Sequence, residues 1–184
     1  ITIHGTPGEN GILQGYFDLI GLPYSTSDVL VEALTFNKFA LNNFLRAYPE
    51  LHISDSVLIR KGDIVTPETE KQLAERLGIP CFVKPNAGGS SFGVTKVKHA
   101  AIDKAMLESD EVMVEKMMTG TEITCGCFKR ANGEIVTLPI TEVVCHTEFF
   151  DYDAKYNNKS DEITPARIAP ETAQRVCEMT KHIY

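Results

Sequence analysis

The sequence predicts a mixed helix-and-sheet protein of the α+β (mixed α/β) class. Three observations point there: amphipathic helical patterns, short β-branched runs between them, and strand–turn–strand patterns that suit antiparallel hairpins. The 184 residues suit one large domain or two small ones. Hydrophobic residues at 43% and charged ones at 23% leave apolar surface for a core and speak against disorder. Lys plus Arg is 18 against 25 Asp plus Glu, a net charge of −7 with no basic cluster. That balance excludes nucleic acid and anionic membrane as expected partners. No apolar run approaches the roughly 18 residues that suggest a membrane span.

The elements follow in order. Asn10 to Ile20 places apolar residues at 12, 13, 16, 17 and 20, a helical face stopped by Gly21. Leu22-Pro23-Tyr24 is expected to be extended. Thr35 is expected to cap a second helix with Phe36, Phe39, Ala40, Phe44 and Leu45 on its apolar face. Ser56–Arg60 suits a strand and Lys61-Gly62-Asp63 a turn. Thr66-Pro67 opens a helix that Gly78 ends. Cys81–Lys84 and Val94–Val97 then read as a hairpin around the small-residue loop Asn86–Gly93. Ala100–Leu107 suits a short helix and Glu111–Lys116 a strand. Glu122–Phe128 is expected as one strand, with Glu134–Leu138 returning after the turn at Ala131-Asn132-Gly133. Asp151–Asp161 is polar and loop-like, and Pro170 opens a last helix with apolar positions at 173, 176, 177, 180 and 183. The five cysteines (81, 125, 127, 145 and 177) match no zinc spacing. They are expected to be reduced and mostly buried in a cytoplasmic protein, with Cys125 and Cys127 on one face of a strand.

Four stretches hold candidate chemistry. Lys84 precedes a loop in which glycines let backbone N–H groups approach an anion, and Ser90 and Ser91 add hydroxyl donors. These are the parts of a phosphate cradle, although a flexible hairpin tip with a solvated lysine has the same composition. No GK[ST] closes the loop, so it is neither a Walker loop nor a dinucleotide fingerprint. Val112–Glu122 offers a strand backbone beside apolar side chains, suited to a purine, with Glu122 a turn later for ribose hydroxyls. Core methionines and solvated glutamates fit it as well. His4–Gly11 sets three glycines, a His and a Glu before a helix N-terminus, either an amino-acid site or a capping turn. Asp151–Tyr156 is an aromatic, lysine-bearing loop, either a cover for a phosphate or a plain surface loop.

Taken together and in this order, the four resemble the D-alanine–D-alanine ligase family of the ATP-grasp superfamily. The family's HGxxGEDG loop is similar to His4–Gly11, and its GLPYTGS-like segment to the GLPYSTS that ends at Ser27. Its DK pair resembles Asn37-Lys38, its VKP…GSSxGV hairpin Val83–Val94, and its VExxxxGxE segment Val114–Glu122. Its FYDYxAKY loop and Pro-Ala segment resemble Phe150–Tyr156 and Pro165-Ala166. Thr6-Pro7 varies the first loop, and Asn10 stands where the family usually has Asp.

The resemblance implies an ATP-grasp fold, incomplete at both ends. Residues 1–26 would be a remnant of an N-terminal substrate-binding domain, 27–115 a central subdomain, and 116–184 the first part of a C-terminal one. It implies that Lys38 and Lys84 bind ATP phosphates and that the loop of Ser90, Ser91 and Gly93 closes over them. Glu115, Lys116 and Met118 would frame adenine, and Glu122 would take the ribose. His4 and Glu9 would lie beside the first D-alanine. Lys155 would reach the transferred phosphate, and Tyr156 would meet Ser90 across the site. The implied activity joins two D-alanines through an acyl phosphate for peptidoglycan precursor synthesis, in a homodimeric parent. Mg²⁺ is the implied metal, its ligands expected after Tyr184 and none within these residues. The chain is therefore expected to be an internal segment without ligase activity of its own. A ligase with another acceptor, such as D-lactate, and an inert nucleotide-binding segment are the rival readings. Tyr156, in place of an apolar residue, favours D-alanine.

Overall fold

The computed structural model describes residues 3–89, 93–97, 109–146 and 160–184. The chain divides into two compact units, Ile1–Met118 and Thr119–Tyr184.

The first unit begins with helix α1 (Ile12–Ile20), held between Gly11 and Gly21, both in the left-handed region. Its predicted apolar face is only partly covered: Ile12, Tyr16 and Ile20 are exposed, and the buried residue is Gln14. Helix α2 (Val29–Phe36) follows, capped by Asp28. Thr35 does not cap a helix. It lies inside α2, its hydroxyl donating to the Val31 carbonyl at 2.8 Å. Asn37 instead caps α3 (Lys38–Leu45), accepting from the Ala40 N–H at 2.9 Å. Seven residues before Thr35, Asp28 already offers a cap, so the helical pattern splits in two at Asn37.

Strands β1 (Ser56–Arg60), β2 (Cys81–Pro85), β3 (Thr95–Val97) and β4 (Glu111–Lys116) form an antiparallel sheet in the order β1-β4-β2-β3. The predicted hairpin of β2 and β3 is present, with Val83 opposite Thr95. Alternation sorts the side chains. Ile59, Cys81, Val83, Val112 and Val114 form one buried cluster with Leu73 and Leu77 of helix α4 (Pro67–Leu77). Helix α4 starts and stops as predicted, with the Thr66 hydroxyl accepting from Thr69 N–H and Gly78 at its end. Leu77 is 1% exposed, so truncation to Ala costs about 2–5 kcal/mol. The opposite face carries Phe82, Lys84, Met113 and Glu115, and helix α3 lies against it through Asn42.

The second unit holds β5 (Glu122–Thr124), β6 (Cys127–Lys129), β7 (Ile135–Thr137), β8 (Thr141–Cys145), β9 (Ser160–Ile163) and α5 (Pro170–Ile183). The strand expected over Glu122–Phe128 is broken at Cys125-Gly126. Its first half pairs with β8 and its second with β7. A Cβ at Gly126 would stand 3.0 Å from Leu138 Cδ1, and the N–H of Leu138 donates to the Gly126 carbonyl at 2.8 Å. That close crossing is where the strand changes partners. Cys125 and Cys127 therefore do not share one strand. Cys81 is buried, while the other four cysteines are only half-buried. Burial pushes the Cys125 thiol up, with Thr180 and Cys177 of α5 beside it. Strand β8 pairs with β9, so Asp161 belongs to a strand and not to a loop. The helix expected over Ala100–Leu107 lies outside the described residues. No helix among the described residues is long and apolar enough to cross a membrane.

Candidate functional site

The site face of the first unit is organised by Asn86, which is fully buried. Composition placed it in a loop, yet all its polar groups are engaged. Its carbonyl accepts from Lys38 N–H at 3.0 Å and its Oδ1 from Phe39 N–H at 2.9 Å. Its own N–H donates to the Glu111 carbonyl at 2.9 Å, and its Nδ2 to Glu111 Oε2 at 2.7 Å. Helix α3 thus delivers two first-turn N–H groups to the residue that ends β2. An antiparallel bridge of Asn37 with Ala87 adds to that junction. Sequence reasoning missed Asn86 as a site-building residue. A polar residue directly after a buried strand was the available signal.

The junction fastens the helix that carries Lys38 to the end of the strand that carries Lys84. Lys38 starts α3, and its ammonium donates to the Gly88 carbonyl at 2.9 Å. Lys84 lies one turn of chain before the same segment, its ammonium 5.6 Å from the Phe82 ring centroid. It pairs with Glu115 Oε2, across the strand pair β2–β4. The two side chains are 23% and 14% exposed, so this ion pair is far better shielded than the surface pair of Lys61 and Asp110. Asn42 Nδ2 donates to the second oxygen of Glu115 at 2.9 Å. A Cβ at Gly88 or Gly89 would meet no atom within 4 Å, and Gly88 has φ 130. Bare backbone therefore faces open space beside the Lys38 ammonium, an arrangement that can take a phosphate.

Past Glu115 the backbone is partly used. The Lys116 N–H donates to the Asp55 carbonyl at 2.9 Å, and the Lys116 carbonyl accepts from Ser54 Oγ at 2.6 Å. That carbonyl keeps one lone pair for a base amino group, whereas the N–H is already donated to Asp55. The Met118 side chain is exposed beyond the end of β4. Glu122 is exposed at the start of β5, opposite Val143. Ser90, Ser91, Lys155 and Tyr156 lie outside the described residues, as does the predicted Ser90–Tyr156 contact. Gly93 has φ 70, a conformation that suits glycine.

In the first loop, Glu9 Oε2 accepts from Gly5 N–H at 2.6 Å, and Oε1 lies 3.4 Å from His4 Nδ1. The His4 side chain is 91% exposed. A cavity of about 380 Å³ opens nearby, but its walls are Gly8, Gln14, Phe17, Tyr24 and neighbours, not His4 or Glu9. Gln14 donates from Nε2 to the Gly8 carbonyl at 3.0 Å and to Thr26 Oγ1 at 3.1 Å. Among the described residues no group of three or more His, Cys, Asp or Glu is placed to hold a metal ion.

An antiparallel sheet with a helix docked through its lysine on the glycine segment that follows β2 is part of an ATP-grasp fold. Comparison with solved structures agrees. A D-Ala:D-Ser ligase from Enterococcus faecalis superposes with a TM-score of 0.82 at 32% identity, over 98% of this chain and 53% of that one. A D-alanine–D-alanine ligase from Bacillus anthracis gives 0.74 at 29% identity, over 97% and 56%. Residues 48–184 match the family described as D-ala D-ala ligase C-terminus, and the chain belongs to that family. A D-alanine–D-alanine ligase of Phocaeicola vulgatus is 59% identical over the whole of this chain, and one of Porphyromonas gingivalis is 53% identical. The chain spans 57% and 56% of those two relatives.

Proposed function

We propose that this chain is the nucleotide-binding segment of an ATP-dependent ligase that joins two D-alanines for peptidoglycan precursor synthesis. The observation that carries the reading is the contact of Lys38 with the open glycine segment at Gly88, made from a helix that Asn86 fastens to the end of the strand carrying Lys84. Identity of 59% to a D-alanine–D-alanine ligase, against 32% to the D-Ala:D-Ser ligase, favours D-alanine as the acceptor.

A carboxylate is a poor electrophile because oxide is a poor leaving group. ATP supplies the phosphoryl group that converts the carboxylate of one D-alanine to an acyl phosphate, and the amine of a second displaces phosphate. Lys38 and Lys84 neutralise phosphate charge, and the backbone at Gly88, Gly89 and Gly93 approaches the anion. Glu115, the Lys116 carbonyl and Met118 bound the base. Glu122 is assigned to the ribose, and His4 and Glu9 to the first D-alanine. Ser90, Ser91, Lys155 and Tyr156 are assigned to closing over the transferred phosphate and excluding water, which acyl phosphates require. Mg²⁺ belongs to this reading as a phosphate counter-ion, with no ligand assigned among these residues. So do the domain assignments (1–26, 27–115 and 116–184), a homodimeric assembly and a cytoplasmic location. The test is phosphate release and dipeptide formation by the full-length protein that carries this segment. Activity that requires both ATP and D-alanine and is lost in Lys84→Ala supports the reading. Full activity in Lys84→Ala overturns it.

A further inference from the structure

Glu115 is engaged from two sides. One carboxylate oxygen faces the Lys84 ammonium, and the other accepts from Asn42 Nδ2 at 2.9 Å. Asn42 lies four residues after Lys38 and so shares its side of α3. Its amide nitrogen also stands 3.8 Å from Met113 Sδ, on the same face of the sheet. The first turn of α3 is fastened by Asn86, so Asn42 approaches Glu115 from a helix that cannot slide along the strands. The Glu115 side chain is only 14% exposed, and little water can orient its carboxylate. Ser56, its partner on β1, is buried with an Oγ that bonds nothing, so β1 does not orient it either.

We propose that Asn42 is a positioning residue of the nucleotide site. Its amide holds the Glu115 carboxylate in the orientation that fixes the Lys84 ammonium on the site face of the sheet. The inference rests on the reading of Lys84 as a phosphate ligand. The chemistry explains why an amide serves here. Asn donates one hydrogen bond without neutralising the carboxylate, so Glu115 keeps its full charge for Lys84. A Lys or Arg would compete with Lys84 for that charge, and an apolar residue would leave the carboxylate free to turn. Of the three donors on the Lys84 ammonium, one stays on Glu115, and the direction of the other two is thereby set.

The test uses the full-length protein carrying this segment. The dissociation constant for Mg-ATP is measured by calorimetry at about pH 6 and about pH 8 in the parent, Lys84→Ala, Asn42→Ala and Asn42→Asp. Melting temperatures accompany each. Asn42→Ala is expected to weaken binding about three- to tenfold, a fraction of the loss of one hydrogen bond to a charged group, because Asn42 acts on the nucleotide only through Glu115 and Lys84. Asn42→Asp provides the readout that a packing role would not move. At either pH its carboxylate cannot donate to Glu115 and adds a second negative charge beside Lys84, so binding falls well below that of Asn42→Ala while the melting temperature stays near that of Asn42→Ala. The groups facing this position are Lys84 from β2 and Glu115 from β4, with Lys38 on its own helix. Arg60 and Glu111, further along the same face, are paired with each other at 3.0 Å. Parental binding in Asn42→Ala, or binding in Asn42→Asp no weaker than in Asn42→Ala, overturns the inference if Lys84→Ala still loses affinity. Parental binding in Lys84→Ala overturns the phosphate reading and this inference with it.

Discussion

Lys84 and Lys61 carry the same charge in different surroundings, and that difference yields a sharp comparison. Lys84 is shielded, paired with Glu115, and four residues before the open Gly88 in the chain. Lys61 sits in a surface turn with Asp110, both side chains more than 70% exposed. Lys84→Ala in the full-length protein is expected to cost roughly 1.5–3 kcal/mol of ATP binding, the worth of a charge-assisted contact. Lys61→Ala is expected to leave it unchanged. An ATP titration that gives both variants the same affinity would refute the placement. Asn86 makes a second case. Its replacement by Ala orphans the part-buried Phe39 N–H, at roughly 1–3 kcal/mol, and releases one oxygen of Glu111, whose 36% exposed side chain water can reach. Urea unfolding of Asn86→Ala should show that loss, and a parental midpoint would mean the junction is not built by its side chain.

The helices show how backbone geometry decides what a residue can be. Gly11 has φ +85, and a Cβ there would stand 2.7 Å from the Val29 carbonyl oxygen at the start of α2. Gly21 is also left-handed, at φ +67, but its Cβ would meet open space. Gly21→Ala therefore costs about 1 kcal/mol of backbone strain alone, while Gly11→Ala adds a collision with main chain and reaches about 2–3 kcal/mol. Denaturant midpoints of the two variants check this, and a larger loss at Gly21 would contradict it. Cap chemistry carries the same lesson. Thr66, Pro67 and Gly78 bracket one isolated helix and were legible as such. Thr35 was misread because Asp28 and Asn37, both good caps, stand on either side of it.

Both units carry a carboxylate held by an arginine, which makes the molecule's response to acid predictable. The Arg76 guanidinium holds Asp55 below the usual carboxylate range, through contacts of 3.0 and 2.8 Å. Arg167 does the same to the buried Glu142, with two contacts of 2.8 Å. A carboxylate whose folded pKa is depressed adds stability that is fully present above its unfolded value, near 4. That stability is lost as pH falls through the lowered folded value. Melting temperature should therefore fall with acid below about pH 4–5. Arg167→Leu should flatten that fall in the second unit, while its melting temperature at neutral pH drops. An Arg167→Leu profile parallel to the parent's would show that the pair contributes nothing to acid sensitivity.

What could be read along the chain is what depends on neighbours in sequence. The hairpin of β2 and β3, the bracketed helix α4 and the strand β4 each follow from a local pattern of alternation, caps and turns. Lys38, Lys84 and Glu115 could be singled out because their residue types sit in ordered motifs that the family shares. The tertiary structure decided matters that depend on contacts distant in sequence. Asn86 fastens α3 to the end of β2 across 47 residues, and Asn42 meets Glu115 across 73. The β5–β6 break arises where Leu138 crosses Gly126. Polar residues of this kind carry no periodic signature, because a hydrogen bond between distant segments is set by the geometry of the sheet that joins them and leaves no pattern in the order of residues.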